Sequence, residues 1–273
     1  MQTDIRCADS AIELAKFEDN YFDMVLTSPP YDNLRSYKGY TFDFETIAKE
    51  LYRVLKSNGT MVWVVGDATI KGSETGTSFK QALYFKNIGF NLYDTEIYLK
   101  KNPIPQNHKR YEQCFEYMFV LTKGTPKTFN AIRVPCKTAG KAENWGNRNV
   151  VMDNNQCRRH RGEDIRITKD TKQHTNVFEY SIGQSKTNHP AVFPIQLALD
   201  NIYTWSNEGD LVLDPFCGSG TTGVACKKLD RNFIGIDTSK EYVELAKQRI
   251  EESKQWNLLM TIVLIIFLDY LVM

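Results

Sequence analysis

The chain has 273 residues and a formal net charge of +1; hydrophobic residues make up 42% of it and charged residues 25%. A chain of this length holds one sizeable α/β domain, or a core domain with an inserted subdomain. The composition is that of a soluble globular protein rather than a disordered or fibrous one. The overall charge balance by itself indicates no nucleic-acid partner.

The charges are unevenly distributed along the chain. Between Lys123 and His189 there are 13 Lys and Arg residues against 6 Asp and Glu, whereas the rest of the chain has 21 against 27. A basic segment beside an acidic body predicts a local contact with a polyanion, and a solvated basic loop is the alternative.

Six cysteines are scattered along the chain without a C-x-x-C pair, and Met1–Asp9 contains no apolar signal-peptide segment. We therefore expect free thiols in a reducing compartment. Cys157, His160 and His174 are candidate metal ligands by residue type. They lack paired-ligand spacing, so we predict no metal site. The cysteines are Cys7, Cys114, Cys136, Cys157, Cys217 and Cys226.

Strands and helices alternate along the first part of the chain. The run Thr60–Gly66 (TMVWVVG) is continuous, apolar and β-branched, which is typical of a buried central strand. Phe42–Gly59 has apolar residues at helical spacing, and Gly59 is well placed as the C-cap of that helix. This alternation predicts a parallel sheet covered on both faces. Further helices are expected at Ser10–Phe17 and Ser78–Asn87, and further strands at Ile5–Ala8, Asp23–Leu26, Phe90–Leu99 and Cys114–Thr122.

The regular pattern is lost from Lys123 to about Asn188, where the chain is polar, basic and rich in Asn, Gly and Thr. This stretch is too long for an ordinary connector in a compact domain, so we interpret it as a functional insertion or a flexible segment. The pattern returns after Pro190. Helices are predicted at Phe193–Trp205, Gly220–Leu229 and Ser239–Trp256, and strands at Asp210–Asp214 and Arg231–Asp237.

The last 16 residues, Leu258–Met273 (LLMTIVLIIFLDYLVM), are almost wholly apolar apart from Asp269. A helix needs about 20 apolar residues to span a bilayer, so we do not expect a membrane anchor. A buried terminal helix or strand, a weak membrane or partner contact, and an artefact of the reading frame all stay open for this apolar tail.

A glycine-rich turn, PFCGSG, separates the predicted strand that ends at Asp214 from the helix that follows. Gly218 and Gly220 permit positive φ and close backbone approach at a strand end, where doubly wound sheets bind ligands. The next strand ends at Asp237, whose carboxylate can accept both hydroxyls of a ribose. These features predict a cofactor that contains a nucleoside. Gly218–Gly223 also matches G-x-G-x-x-G, which leaves an NAD-type oxidoreductase as the alternative, although the Asp214 anion suits an ammonium group better than a pyrophosphate.

The segment TSPPY, Thr27–Tyr31, follows the apolar run FDMVL at the predicted end of a strand. Two adjacent prolines there remove backbone donors and fix φ, and a tyrosine follows at once. By itself this segment fits an ordinary Pro-Pro turn with a packed tyrosine.

TSPPY and the segment DPFCGSGTT, Asp214–Thr222, together resemble the catalytic and cofactor motifs of amino-group DNA methyltransferases that use S-adenosylmethionine. The catalytic motif comes first, a basic segment lies between, and the cofactor motif comes last, which resembles the permuted β group of that family. The resemblance extends over Ile5–Glu252, although the basic middle matches by position only and the apolar tail does not match.

The resemblance implies a Rossmann-like, doubly wound, mostly parallel α/β sheet of seven strands with an inserted basic target-recognition region. The chain would then divide into a catalytic half (1–122), a target-recognition insertion (123–188), a cofactor-binding half (189–256) and the apolar tail (257–273). Double-stranded DNA is the implied substrate, a cognate restriction endonuclease is a candidate partner, and the implied location is the cytoplasm.

Exocyclic amines of cytosine and adenine are poor nucleophiles because the nitrogen lone pair is delocalised into the ring. A hydroxyl and a fixed backbone carbonyl can accept hydrogen bonds from such an amine, and an aromatic ring can stack on a base that has left the duplex. The resemblance implies catalytic roles for Ser28, Pro29, Pro30 and Tyr31. It implies a contact of Asp9 with the cofactor's adenine, and cofactor binding by Asp214, Phe216, Gly218, Gly220, Thr221 and Asp237. The DNA-binding candidates in the basic stretch are Arg148, Arg158, Arg159, Arg161 and Arg166.

Serine at the first position of the catalytic motif resembles the cytosine-N4 members of the family, so Ser28 favours cytosine N4, with adenine N6 as the alternative. Methylation at cytosine C5 would need a nucleophilic cysteine; Pro135–Cys136 offers one, but it lies in the irregular stretch and we interpret Cys136 as incidental. Cys217, within the glycine-rich turn, is expected to have a packing role. RNA as substrate and a non-catalytic DNA-binding relative also stay open.

Overall fold

The computed structural model describes residues 2–30, 42–103, 105, 109–144, 150–153, 156–159, 165–181 and 193–253. The helices in these residues are α1 Ser10–Leu14, α2 Phe44–Val54, α3 Thr77–Asn87, α4 Ile195–Trp205, α5 Thr221–Lys228 and α6 Lys240–Glu252. The strands are β1 Thr3–Cys7, β2 Phe22–Thr27, β3 Leu55–Val65, β4 Thr69–Ile70, β5 Ser73–Glu74, β6 Asn91–Lys100, β7 Phe115–Thr122, β8 Arg133–Pro135, β9 Ala142–Asn144, β10 Val150–Asp153, β11 Gln156–Arg159, β12 Ile165–Ile167, β13 Thr171–Gln173, β14 Val177–Tyr180, β15 Leu211–Asp214 and β16 Asn232–Asp237.

The largest sheet in the described residues has eight strands in the order β1-β16-β15-β2-β3-β7-β6-β14. All neighbouring strands in it are parallel except for the two pairs that involve β7. The predicted mostly parallel, Rossmann-like sheet is confirmed, but the predicted count of seven strands was wrong, because the sheet has eight. The stretch expected to be irregular contributes β14 to the edge of the sheet, and four residues are too few for a clear strand pattern.

The sheet is covered on both faces, as the alternation of elements predicted. On one face, α1, α2 and α3 share a core with strand residues such as Val25 and Trp63. On the other face, α4, α5 and α6 share a core with the adjacent residues Leu26 and Val62. All four strand residues are fully buried. Adjacent residues of β2 and β3 thus pack against helices on opposite faces of the sheet, which is why both strands are continuously apolar.

The chain winds in opposite directions from the boundary between β2 and β15. On one side β2 leads through α2 to β3, and on the other side β15 leads through α5 to β16. Helices α2 and α5 lie on opposite faces of the sheet. Such a switch point leaves a crevice at the carboxyl ends of the strands, where open α/β sheets bind ligands.

Residues Ala131–Thr175 form a compact unit of their own, and the rest of the described chain forms the other. In this unit the chain runs out through β8, β9 and β10 and returns through β11, β12 and β13. Three antiparallel pairs are nested as a result: β8 with β13, β9 with β12, and β10 with β11. We call this unit the hairpin arm. Its strands have three or four residues each, too few for their alternation to be visible in the sequence.

Helix α2 ends at Val54, so the prediction of Gly59 as its C-cap was wrong; Leu55 is the C-cap and also the first residue of β3. The carbonyl groups at this helix end are satisfied by Lys123. Its Nζ donates to the carbonyl oxygens of Tyr52 and Leu55, both at 2.9 Å. A cation at this position also interacts favourably with the helix dipole. Lys123, the first residue of the basic stretch, therefore stabilises the end of α2 in the unit that contains the sheet.

No helix within the described ranges is long and apolar enough to cross a membrane. The apolar tail lies outside the described residues. Within those residues no group of three His, Cys, Asp or Glu side chains is placed to hold a metal ion; His160 and the side chain of Cys157 lie outside them. Free thiols were expected, and they are found at Cys7, Cys114, Cys136, Cys217 and Cys226.

Lys123→Met should lower the free energy of unfolding by about 1–2 kcal/mol, because the last carbonyls of α2 lose their donor and the helix end loses its cation. Lys127→Met is the matched control, since the Lys127 side chain is 63% exposed and its ion pairs are long. Urea unfolding followed by circular dichroism measures both variants. Equal losses in the two would contradict the capping role of Lys123.

Candidate active site

Four strand ends meet at one edge of the central sheet. β1, β16, β15 and β2 are parallel neighbours, so their carboxyl ends lie side by side. The register places Cys7 beside Asp237, and the Ala8 N–H donates to the Asp237 carbonyl at 3.0 Å. Asp9, Asp237, the glycine-rich turn and Ser28 all follow or end these strands, so the fold brings these predicted site residues to one edge.

The glycine-rich turn between β15 and α5 has the backbone that its glycines allow. Gly218 has a φ of 48° and Gly220 a φ of 80°, both in the left-handed region. The Gly220 N–H closes the turn on the Cys217 carbonyl at 2.7 Å. A Cβ at Gly220 would lie 2.8 Å from the Cβ of Ala246 on α6. Conformation and close packing therefore both require glycine at this position.

The carboxylate of Asp214, the last residue of β15, joins the two halves of the site. It accepts three hydrogen bonds: from the Thr27 hydroxyl at 2.7 Å, from the Thr222 hydroxyl at 2.6 Å and from the Phe216 N–H at 3.1 Å. Asp214 is 2% exposed. Burial raises its pKa to about 6, and the three hydrogen bonds oppose that rise. We call these groups the Asp214 junction. Because Thr27 ends β2, the junction ties the Ser-Pro-Pro segment to both ends of the glycine-rich turn.

Asp237, the last residue of β16, supports the same turn. Its Oδ2 accepts the Gly218 N–H at 3.0 Å, and its Oδ1 accepts the Ser239 N–H at 2.8 Å. Burial raises the pKa of Asp237, and these two backbone hydrogen bonds oppose the rise. Each carboxylate oxygen retains a lone pair for a ligand hydroxyl. With Asp214 close by, two carboxylates lie in a partly buried setting, which favours a cationic ligand.

Asp9 follows β1 and caps α1, because its Oδ1 accepts the N–H groups of Ala11 at 2.8 Å and Ile12 at 3.3 Å. The next residue, Ser10, is buried, and its hydroxyl donates to the carbonyl of Pro215 in the glycine-rich turn. This hydrogen bond fastens the loop after β1 to the turn after β15. Asp9 is consequently held beside the turn.

Further side chains shape the turn from both ends. Thr221 begins α5, and its buried hydroxyl has no hydrogen-bond partner within the described part of the chain. The Phe216 ring packs edge to face on Phe42, with ring centroids 5.5 Å apart. Arg249 of α6 donates to the Ser219 hydroxyl at 2.7 Å. The orphaned Thr221 hydroxyl is a group that a bound ligand can satisfy.

Ser28, Pro29 and Pro30 leave β2 directly after Thr27. Pro29 is buried, and Ser28 and Pro30 are half-buried. The Ser28 hydroxyl makes no hydrogen bond in the described structure, so it is available to a substrate. Tyr31, the fourth predicted catalytic residue, lies outside the described residues.

Sequence reasoning missed four residues that hold the site together: Thr27, Thr222, Ser10 and Arg249. Thr27 and Thr222 are the first and last residues of the two motifs, so their place beside the motif carboxylate was a usable signal. Ser10 and Arg249 act through contacts that only the fold creates; Ser10 and Pro215, for example, are 205 positions apart in the chain.

Two cysteines with sequence-based interpretations lie in different parts of the molecule. Cys136 belongs to the hairpin arm, where its N–H donates to the Asp170 carbonyl at 2.8 Å. Cys217 is buried in the core, its thiol pKa is raised by burial, and a Cβ on Gly235 would lie 2.9 Å from its Sγ. Cys217 thus has the packing role that was expected.

The predicted DNA-binding arginines fall on the hairpin arm or outside the described residues. The arm carries three of them on strands: Arg158 and Arg159 on β11, and Arg166 on β12. Arg148 and Arg161 lie outside the described residues.

Burial raises the pKa of Asp214 from 3.8 to about 6, so between these two pH values the folded protein binds this proton more tightly than the unfolded chain does. The stability from this site is therefore present below about pH 4 and is lost as the pH rises to about 6. Relative to Asp214→Asn, which does not titrate, the wild type should lose up to about 3 kcal/mol of unfolding free energy across that window. Urea unfolding of both proteins at a series of pH values measures this difference. A difference that is independent of pH would contradict the raised pKa.

Proteins of known class are similar in sequence to this chain. The family described as DNA methylase (N6_N4_Mtase) matches residues 22–248. The orphan methyltransferase M.BamHII of Bacillus amyloliquefaciens is 45% identical over 247 residues, which are 85% of this chain and 90% of that protein. The type II methyltransferase M.HpaI of Haemophilus parainfluenzae is 31% identical over 264 residues, which are 90% of this chain and 73% of that protein.

A solved structure shares the fold as well. The crystal structure of the M1.HpyAVI-SAM complex matches with a TM-score of 0.60 and 27% sequence identity, and the match covers 91% of this chain and 100% of that one. The doubly wound sheet agrees with these matches. The chain belongs to the N6/N4 family of DNA methylases and uses S-adenosylmethionine as its cofactor.

Proposed function

We propose that this protein methylates the exocyclic N4 of a cytosine that is flipped out of duplex DNA at a specific site. The observation that carries this proposal is the Asp214 junction. It fixes Thr27, the last residue of β2, beside the glycine-rich turn that follows β15, and Ser28 comes directly after Thr27. The methyl donor and the acceptor amine can therefore be held next to each other at the switch point of the sheet.

The residues present fit S-adenosylmethionine. The free lone pairs of Asp237 can accept its ribose hydroxyls, and the orphaned hydroxyl of Thr221 offers a further polar contact. The carboxylates of Asp214 and Asp237 favour the positive charges of the sulfonium and the ammonium. Since Asp214 is buried and already holds three donors, we assign it an indirect role, in which it orients the turn. When bound, S-adenosylmethionine supplies an electrophilic methyl group on a positively charged sulfur.

The chain's contribution to chemistry is to activate and orient the amine. The Ser28 hydroxyl and a carbonyl of the Ser28–Pro30 run can each accept a hydrogen bond from the amine's two N–H groups. The nitrogen then becomes more tetrahedral, and its lone pair is freed for the methyl group. Both prolines fix φ and carry no N–H, so the carbonyl is in place before the base arrives. Thr27 directly precedes this segment, and its hydrogen bond to Asp214 holds the start of the segment in place.

The remaining site residues have roles in binding cofactor and DNA. We assign Asp9 to the cofactor's adenine, Phe216, Gly218 and Gly220 to the wall of the cofactor site, and Tyr31 to stacking on the flipped base. The hairpin arm is the proposed target-recognition region. Its arginines contact phosphates or guanine edges of duplex DNA. They are Arg148, Arg158, Arg159, Arg161 and Arg166.

The biological setting that we propose is DNA modification in the cytoplasm of a bacterium. M.HpaI is a type II methyltransferase, whereas M.BamHII is an orphan. The type II relative supports a cognate restriction endonuclease as the proposed partner. The orphan relative supports the other possibility in the same class, a solitary enzyme. Cytosine N4 rests on Ser28 at the head of the catalytic motif; adenine N6 presents the same two N–H donors and is the competing target.

Nucleoside mass spectrometry of unmethylated plasmid DNA, incubated with the protein and S-adenosylmethionine, tests the proposal. The expected product is N4-methylcytosine. N6-methyladenine would overturn the choice of base and leave the amino-methyltransferase class intact. Absence of any methylated nucleoside, from protein that binds both S-adenosylmethionine and DNA, would overturn the enzymatic function.

Ser28→Ala should lower kcat about ten- to hundredfold, because it removes one acceptor for an amine that gains positive charge during transfer. Affinity for S-adenosylmethionine should change little. Ser57→Ala, at an exposed serine of β3, is the matched control and should keep wild-type turnover. Full activity of Ser28→Ala would remove Ser28 from the catalytic assignment.

A further inference from the structure

A small hairpin projects from the sheet edge that carries the candidate active site. It comprises β4 and β5, Thr69–Glu74, and we call it the edge hairpin. It follows β3, which is parallel to β2 and pairs Trp63 with Thr27. β3 ends only two residues after that pair, at Val65. The edge hairpin therefore leaves the sheet directly beside the Ser-Pro-Pro segment.

The base of the edge hairpin is fixed by a buried carboxylate. Asp67 accepts the Ser78 N–H at 2.9 Å, and it also accepts the hydroxyls of Ser78 and, at 3.3 Å, Thr75. The Thr75 N–H donates to the Ala68 carbonyl at 3.0 Å and closes the loop. The hairpin is thus held in a set position relative to β3 and α3 before any partner binds.

The tip of the edge hairpin is a tight turn that is tied to a second segment of the same edge. Lys71 has a φ of 50° and Gly72 a φ of 82°, the signs that a two-residue type I′ turn requires. The Arg110 guanidinium donates to the Gly72 carbonyl and lies 3.8 Å from Glu74. Arg110 shortly precedes β7, whose Tyr117 pairs with Val65, so this segment enters the sheet where β3 leaves it.

The edge hairpin and the neighbouring segment around Arg110 expose side chains that are not packed into the core. Ile70 is 54% exposed and Tyr111 is 101% exposed. Lys71, Lys109 and Lys101, the last of which directly follows β6, are also exposed. Among the described residues, no carboxylate lies within ion-pair distance of these three ammonium groups.

The chemistry of the surface matches a nucleic-acid backbone. Outside the basic stretch the chain has more acidic than basic residues, so a patch of unpaired lysines at the active-site edge is a local exception. Lysine ammonium groups contact phosphates, and exposed aromatic and apolar side chains next to them contact sugars and bases. A protein partner would be expected to cover a larger apolar area than one isoleucine and one tyrosine.

We propose that the edge hairpin, with Lys101, Lys109 and Tyr111, is a second DNA-binding surface that contacts phosphates of the duplex next to the flipped base. It lies in the compact unit that contains the eight-stranded sheet, whereas the hairpin arm is the other unit. This inference rests on the proposed function, because it needs DNA at the carboxyl edge. Its role is to hold the duplex in register while the base enters the site, without taking part in methyl transfer.

The test is the salt dependence of DNA affinity in the double variant Lys71→Gln/Lys109→Gln. A short fluorescein-labelled duplex of random sequence is titrated with the full chain at several NaCl concentrations, and binding is followed by anisotropy. The double variant should bind about five- to tenfold more weakly, and its plot of log affinity against log salt should be shallower by about 1.8, because each lost phosphate contact removes about 0.9. At saturating DNA, kcat should stay at the wild-type value.

Lys49→Gln/Lys86→Gln is the matched control. It removes the same charge from exposed positions on α2 and α3, outside the edge hairpin, and should leave the slope unchanged. Equal slopes for wild type and Lys71→Gln/Lys109→Gln, or equal losses in the two double variants, would overturn the second surface. Either result would leave the proposed function standing if the wild type still produced a methylated nucleoside; a wild type that methylates no DNA would overturn the proposed function itself.

Discussion

The buried carboxylate of Asp214 receives hydrogen bonds from parts of the chain that lie far apart in sequence, and the geometry of the site depends on them. Thr27, 187 positions away, donates from the end of the strand that leads into Ser28, while Thr222 and the Phe216 N–H donate from the two ends of the glycine-rich turn. A buried carboxylate without such donors would be strongly disfavoured. The need to satisfy it therefore fixes β2 against β15 at the point where we propose that the methyl donor and the acceptor amine meet.

The order of strands in the sheet sets the order in which the proposed cofactor, transfer and DNA-binding residues lie along its carboxyl edge. Asp9 and Asp237 end or follow β1 and β16, where we place the nucleoside of the cofactor. The Asp214 junction lies between β15 and β2, where transfer is proposed, and the edge hairpin follows β3, where we place the neighbouring DNA backbone. A single constraint, parallel strands whose carboxyl ends share one edge, thus allows residues from distant motifs to work on one substrate.

Much of this arrangement is predictable because its signals are local. Apolar runs and helical spacing identified the main strands and helices, and the glycine pattern predicted positive φ at Gly218 and Gly220, which the turn adopts. The errors arose where tertiary contacts decide. β14 and the strands of the hairpin arm are too short to show alternation, so the sheet has one strand more than predicted. Helix α2 ends earlier than predicted, at Val54, and its last carbonyls are satisfied by Lys123, which is distant in the sequence. Hydrogen bonds such as that from Ser10 to Pro215 leave no local mark in the sequence.

The most direct test of the coupling between the two motifs is the affinity of Thr27→Val for S-adenosylmethionine, measured by calorimetry without DNA. Thr27 is the last residue of β2 and is not part of the glycine-rich turn. Thr60→Val, at a buried threonine of the neighbouring strand β3, controls for the general effect of the substitution. If the Asp214 junction orders the turn, Thr27→Val should bind S-adenosylmethionine about tenfold more weakly than the control, because one hydrogen bond to a buried carboxylate is worth about 1.5–3 kcal/mol. Equal affinity in the wild type, Thr27→Val and Thr60→Val would contradict the account.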